Sequence, residues 1–252
     1  MKKQRLELLD TIRGITIISM VIYHAVWDFV YILGFDWEWY RSVYAHIWQQ
    51  SICWTFILLS GFCFTLGKKH LNRGLTVFGA GALTTAVTLI FVPEDRVIFG
   101  VLTLLGSAML IMIPLDRLLH KVNSAAGAAV SFVLFGVLKN VQQGYMGFFG
   151  AKLVEIPDCF YSNYITAYLG FPQKDFFSTD YFPILPWIFL FITGCFIGRL
   201  FKEKNLFGKP FEHGSKPLSF IGRHSLIIYL AHQPVIYLLI VLLPQIIKNL
   251  GA

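Results

Sequence analysis

Asp10-Thr-Ile-Arg13-Gly14-Ile-Thr-Ile-Ile-Ser-Met20-Val-Ile-Tyr23-His24-Ala-Val-Trp-Asp28-Phe-Val-Tyr-Ile-Leu33 is long and apolar enough to cross a membrane, yet four of its side chains ionise. A charge at the bilayer centre costs roughly 2.5–3.5 kcal/mol, so such residues persist where a partner, a polar cavity or a chemical task compensates. At about 100° per residue, with Arg13 at zero, His24 falls near 20° and Asp10 and Asp28 near 60°. All four share one stripe of one helix. With a rise of about 1.5 Å per residue, His24 lies about 18 Å and Asp28 about 24 Å beyond Ile12, at mid-membrane and towards the far face. The i, i+4 spacing lets Asp28 accept a hydrogen bond from His24, as a general base requires. The same pair also suits a plain role as glue between helices, and both readings stand at this point.

The rest of the chain agrees with a membrane setting. Its 252 residues are 56% hydrophobic and 14% charged, with a mean hydropathy of +0.64, far from soluble averages. Windows able to cross about 30 Å of hydrocarbon lie near 12–33, 47–67, 74–92, 97–114, 122–139, 183–201 and 224–246. They predict an all-α polytopic bundle of about seven transmembrane helices, read as one domain over 1–252. The basic start leads into a run of full span length without a small-residue cleavage site, so it reads as a retained first helix. With the N-terminus in the cytoplasm, 15 of the 21 Lys and Arg residues fall on the inner side, which the positive-inside rule favours. The expected location is the inner (plasma) membrane, multi-pass. The net charge of +7 is then a matter of topology, with no call for nucleic acid.

A long outer stretch, about 140–182, separates the fifth and sixth predicted helices and carries Gly147-Phe-Phe-Gly150, Tyr161, Tyr164 and Tyr168. Its part near 159–171 is apolar but too short to span, which suits a re-entrant or interfacial segment. Such a loop either shapes a binding site or anchors aromatics at the membrane surface. The four cysteines show no CxxC pair and no metal-type spacing with histidine, so neither a disulfide framework nor a metal site is expected.

Three further groups carry potential chemistry. In Gly222-Arg223-His224-Ser225-Leu-Ile-Ile-Tyr229-Leu-Ala-His232-Gln233-Pro234, His232 lies about 12 Å beyond His224 and reaches the depth of His24 from another helix. Pro234 frees a carbonyl near Leu230 for a polar neighbour. In Asp180-Tyr181-Phe-Pro183-Ile-Leu-Pro186-Trp187, the prolines suit a helix start, and Asp180 is either a substrate contact or a partner of a helix dipole. His46 stands before the second span at the outer level, close enough in depth to join the acid and base candidates.

These segments resemble the short bacterial branch of the heparan-alpha-glucosaminide N-acetyltransferase catalytic-domain family. The matching pieces are Leu9-Asp10-x-x-Arg13-Gly14 with Met20 and His24, Asp180-Tyr181-Phe182-Pro183-x-x-Pro186-Trp187 with Gly194, and Gly222-Arg223-His224-Ser225-Leu226 with Tyr229-Leu230-x-His232-Gln233-Pro234. The resemblance implies transfer of an acetyl or acyl group from cytoplasmic acyl-CoA to a hydroxyl or amine of an acceptor, a sugar or glycan, at the outer face. It implies acetyl-CoA as co-substrate, no metal, and His24 or, by a looser match, His46 as the base, with Asp28 and His232 beside them. Arg13, Arg73, Arg117 and Arg223 are then the expected contacts for CoA phosphates, and Asp180, Tyr181, Trp187 and Gln233 those for the acceptor; His232 and Gln233 are placed to hold an oxyanion. The expected partners are acyl-CoA, the acceptor and the bilayer, with a homodimer as an open state of assembly. Without the resemblance, a small proton-coupled transporter using His24, Asp28 and His232 as a relay ranks level with an enzyme, and a non-catalytic scaffold remains a third reading.

Overall fold

The protein, seen in a computed structural model, is described at residues 6–148, 151–242 and 244. Lys2, Lys3, Arg5, Lys248, Gly150 and most of the last predicted window past 242 lie outside these. In chain order the helices are α1 (Glu7–Tyr31), α2 (Val43–Phe64), α3 (His70–Phe91), α4 (Val101–Leu119), α5 (Ser124–Leu138), α6 (Tyr164–Leu169), α7 (Ile184–Glu203), α8 (Lys209–Glu212), α9 (Lys216–Arg223) and α10 (Ser225–Tyr237). Six helical segments are long and apolar enough to cross a membrane, and a seventh, Ser225–Ile240, is apolar but shorter. The chain is therefore an all-α, multi-pass membrane protein. The first helix starts five residues before the predicted window. Its polar opening is paired internally, with Arg13 Nη1 3.0 Å from Asp10 Oδ1, so the helix continues through it.

Two compact units divide the chain: one falls within Met1–Phe56 and Phe207–Ala252, the other within Ile57–Leu206, the division lying inside α2. In the first unit, α1 packs along α9 and α10. Lipid tails are as apolar as leucine, so burial of aliphatic side chains gives little drive for helices to associate in a membrane. Close backbone approach and hydrogen bonds take over. Gly14 of α1 lies against the backbone of Leu218 and Gly222, and Gly222 in turn against that of Asp10 and Gly14. Beside this crossing the Thr11 and Ser219 hydroxyls are 2.8 Å apart, and Ser219 Oγ donates to the Glu7 carbonyl at 3.1 Å. Further along, Ile17, Met20 and Ile52 form a buried core closed by Trp48, Phe56, Ile228 and Tyr229.

In the second unit, α3 packs on α4 and α5 on α7. Buried hydroxyls of Ser131 and Thr193 meet at 2.9 Å between α5 and α7. Arg199 donates to Asp116 at 2.9 Å and to the Leu119 carbonyl at 2.7 Å, tying α7 to the end of α4. Gly194 and Gly198 let α7 approach the backbone of α2 near Leu58 and Phe62, the packing role expected of a small-xxx-small pair.

The described part of the long stretch between α5 and α7 carries regular structure. It opens with an antiparallel pair, β1 (Tyr145–Phe148) and β2 (Ala151–Glu155), in which Tyr145 faces Glu155 and Met146 faces Val154. The apolar piece after it becomes the six-residue α6. Asn163 Oδ1 accepts from the Ile165 and Thr166 amides, while Thr166 Oγ1 accepts from the Asn163 amide at 3.1 Å. This reciprocal capping explains why so short a helix holds. The Tyr168 hydroxyl then bonds Ser107 of α4.

Candidate functional site

Within the first unit, α1 and α10 bring four anticipated residues together. The rings of His24 and His232 stand 4.9 Å apart, centre to centre, edge to face. Close by on the same two helices, the Gln233 side-chain amide donates to Asp28 Oδ1 at 3.2 Å. Asp28 is fully buried and His232 is 9% exposed. One turn of α1 separates the two contacts, so the spacing that put His24 and Asp28 on one stripe also sets them against successive residues of α10.

The proton positions on this pair follow from their partners. His232 Nδ1 lies 2.5 Å from the Tyr229 carbonyl oxygen. A carbonyl only accepts, so Nδ1 carries a hydrogen and the neutral ring presents its lone pair at Nε2. That Nε2 is buried and has no hydrogen-bond partner among the described residues, and the same holds for Gln233 Oε1. A buried acceptor without a donor costs about 1–3 kcal/mol. Two such atoms on adjacent residues mark a place prepared for hydrogen-bond donors. The His232 hydrogen and one of the two Gln233 amide hydrogens, expected to meet an oxyanion, face protein acceptors instead.

The carbonyl that His232 takes is Tyr229's, next to the Leu230 carbonyl that Pro234 frees. The reason is local: a helical side chain leans back over the preceding turn, so His232 reaches residue i−3.

An aromatic flank borders the histidines. Tyr23 meets His24 edge to face at 6.0 Å and packs on Tyr40 and Trp48, each at 5.1 Å. Trp48 Nε1 donates to Ser19 Oγ at 2.8 Å, and the Tyr40 hydroxyl donates to the Tyr23 carbonyl at 3.3 Å. Burial, and then the contact with Tyr23, holds the Tyr40 phenol above its ordinary pKa, so it stays a neutral donor. Sequence reading passed over Tyr23 and Tyr40. Their signal was only the density of aromatics around His24, which membrane anchoring explains as well.

The other anticipated residues lie elsewhere. His46, in the first turn of α2, is exposed, as is Arg223 at the end of α9, whose guanidinium sits 5.8 Å from the Phe220 ring. Arg13 is engaged with Asp10. In the second unit Arg73 and Arg117 are exposed near helix ends, and Arg73 stands 3.0 Å from where a side chain on Gly67 would begin. Trp187 is buried between Phe135 and Phe182. Tyr181 donates to the Ala167 carbonyl at 2.6 Å, and burial keeps its phenol above the ordinary range.

Asp180 has a clear structural task. Its Oδ2 accepts from the Val101 amide at 3.1 Å, at the first turn of α4, where backbone donors are unpaired and the helix dipole favours an anion. The dipole it meets belongs to α4 and not to α7, which follows it in sequence. Asp180→Ala is expected to lower stability by about 0.5–2 kcal/mol, as loss of a cap does, seen as a lower melting temperature in detergent; an unchanged melting temperature contradicts the capping role.

The sequence profile described as heparan-alpha-glucosaminide N-acetyltransferase, catalytic, matches residues 5–234. No curated protein and no solved structure matches the chain. The matched range takes in every residue of the α1–α10 cluster. Among the described residues no group of three or more His, Cys, Asp or Glu side chains is arranged to hold a metal ion.

Proposed function

The chain belongs to the heparan-alpha-glucosaminide N-acetyltransferase catalytic family, and on that premise we propose that it carries an acetyl or acyl group from cytoplasmic acyl-CoA to a hydroxyl or amine of a sugar or glycan at the outer face. Family and helices together make it a membrane acetyltransferase; the donor, the acceptor and the direction across the membrane are the proposal. The observation that carries it is the His24–His232 pair, half-buried at His24 and buried at His232, with one imidazole held as the tautomer whose free nitrogen can take a proton.

In the proposed step the acceptor's oxygen or nitrogen attacks the thioester carbonyl carbon, and its proton passes to His232 Nε2. The carbon–sulfur bond then breaks and the CoA thiolate receives that proton. General base assistance of this kind is worth about 10²–10⁴-fold. His24 stands against the imidazolium that forms, where it can relay the proton or steady the reacting carbonyl. The exposed Arg223, in the same unit as the two histidines, is the proposed contact for a CoA phosphate, since a guanidinium binds phosphate through paired hydrogen bonds.

The test uses purified protein in nanodiscs with radiolabelled acetyl-CoA and a panel of sugars and amino sugars. Label is expected to move to an acceptor with release of one free thiol per acetyl group transferred. Absence of both acetyl-CoA binding and turnover, or flux of a solute across proteoliposomes without any acyl donor, overturns the reading.

A further inference from the structure

We infer that Gln233 is a specificity-determining residue that accepts a hydrogen bond from a donor group beside the acceptor's nucleophile, and that Asp28 is the positioning residue that turns it to do so. The inference deepens the acetyltransferase reading and rests on it.

The argument starts from the direction of one hydrogen bond. Gln233 Nε2 donates to Asp28 Oδ1 at 3.2 Å, so the nitrogen end of the amide faces Asp28. The oxygen end is thereby turned away from Asp28. Gln233 Oε1 is nevertheless buried and unpartnered among the described residues. Left to itself an amide in that position would rotate to whichever end found company. Asp28, itself fully buried, fixes the choice because its Oδ1 accepts, and the amide oxygen turned towards it would set acceptor against acceptor.

Gln233 Oε1 and the neighbouring His232 Nε2 are both acceptors awaiting hydrogens. A thioester, a carboxylate or a phosphate dianion offers neither of them a proton. A molecule with one donor satisfies one and strands the other. The arrangement therefore fits a nucleophile flanked by a second hydroxyl or amino group, as in a polyol or an amino sugar: the nucleophile meets His232 and its neighbour meets Gln233. A site built to bond a donor rejects an analogue lacking it, because its own buried group then stays unpaired. On this account Asp28 acts on the substrate through Gln233, a route that an i, i+4 reading of α1 does not contain.

The experiment compares glucosamine with cyclohexylamine, a six-membered-ring amine without hydroxyls, as acceptors for the protein in nanodiscs. The wild type is expected to favour glucosamine by at least about tenfold in kcat/KM, the worth of one hydrogen bond near the top of its usual range. Gln233→Leu is expected to erase most of that preference through a higher KM for glucosamine. Asp28→Asn frees the amide to turn and Gln233→Glu sets two carboxylates face to face, so each is expected to lower both the preference and the melting temperature. The double variant D28N/Q233E restores a donor facing an acceptor, with the outward oxygen still available, and is expected to recover both to within about threefold and a few degrees. Single losses that the double variant does not repair, or a wild type that acetylates both amines equally or neither, overturn the inference. Acetyl-CoA binding by the same preparations is measured separately: binding and slow hydrolysis with no preference between amines defeats the role of Gln233 alone, whereas no binding at all defeats the acetyltransferase reading.

Discussion

His232→Ala is expected to slow acetyl transfer by about 10²–10⁴-fold, the range for loss of a positioned general base, while acetyl-CoA still binds. The magnitude follows from the tautomer. Only an imidazole whose Nδ1 hydrogen is committed to a carbonyl, here that of Tyr229, offers Nε2 to a substrate without first exchanging a proton. His24→Ala removes the ring 4.9 Å away and is expected to cost nearly as much. Groups that act as a unit are strongly non-additive, so the double variant is expected to be little worse than either single one. Rates are read as label transferred per folded molecule. His46→Ala, at an exposed position, is expected to lose less than about tenfold; a collapse of activity there with His232→Ala unaffected would move the base to the first turn of α2.

The second large effect concerns assembly. Gly222→Ala is expected to destabilise the protein by about 3 kcal/mol, at or above the upper end of the usual cost of overpacking. A Cβ at Gly222 would come 2.8 Å from the Gly14 amide nitrogen and also meet the Asp10 carbonyl. These are backbone atoms, so no side chain can rotate aside and α9 must separate from α1. The Thr11–Ser219 hydrogen bond beside the crossing would stretch with it. The melting temperature in detergent and the yield of monodisperse protein report the loss. A Gly222→Ala protein that melts with the wild type would show that α1 and α9 do not cross as closely as described.

This crossing also gives a physical meaning to part of the family pattern. Gly14 follows Arg13 in one motif and Gly222 precedes Arg223 in another, and each packs against the other's helix. The arginines beside them are of different kinds: Arg13 is paired with Asp10, whereas Arg223 is exposed.

Much of the fold was legible because hydropathy over twenty residues is a strong signal in a membrane protein. The windows located six helices to within a few residues, except where α1 runs through its polar opening. The described part of the last span, Ser225–Ile240, is apolar and shorter than the other six, and a π-helical turn, Leu238–Leu242, follows α10 after Pro234 interrupts the regular bonding; the end of its predicted window lies outside the described residues. Of the site, the pairing of His24 with His232 could be anticipated from depth alone. Helix periodicity gives height and azimuth on a helix but not which neighbour occupies the facing side. For that reason the Asp28–Gln233 bond and the hold of Tyr229 on His232 could not be read from spacing. Asp180 shows the converse. Its carboxylate looked like a guard of the helix that follows it, yet the chain returns it to the start of α4, 79 residues away.

The most direct test is a cryo-electron microscopy structure of the protein in nanodiscs with a non-hydrolysable acetyl-CoA analogue. The account requires the acyl carbonyl to lie beside the His24–His232 pair, leaving His232 Nε2 about 2.6–3.2 Å from where an acceptor's attacking atom would sit. An analogue bound with its acyl end away from both histidines, or no bound analogue at saturating concentration, would contradict it.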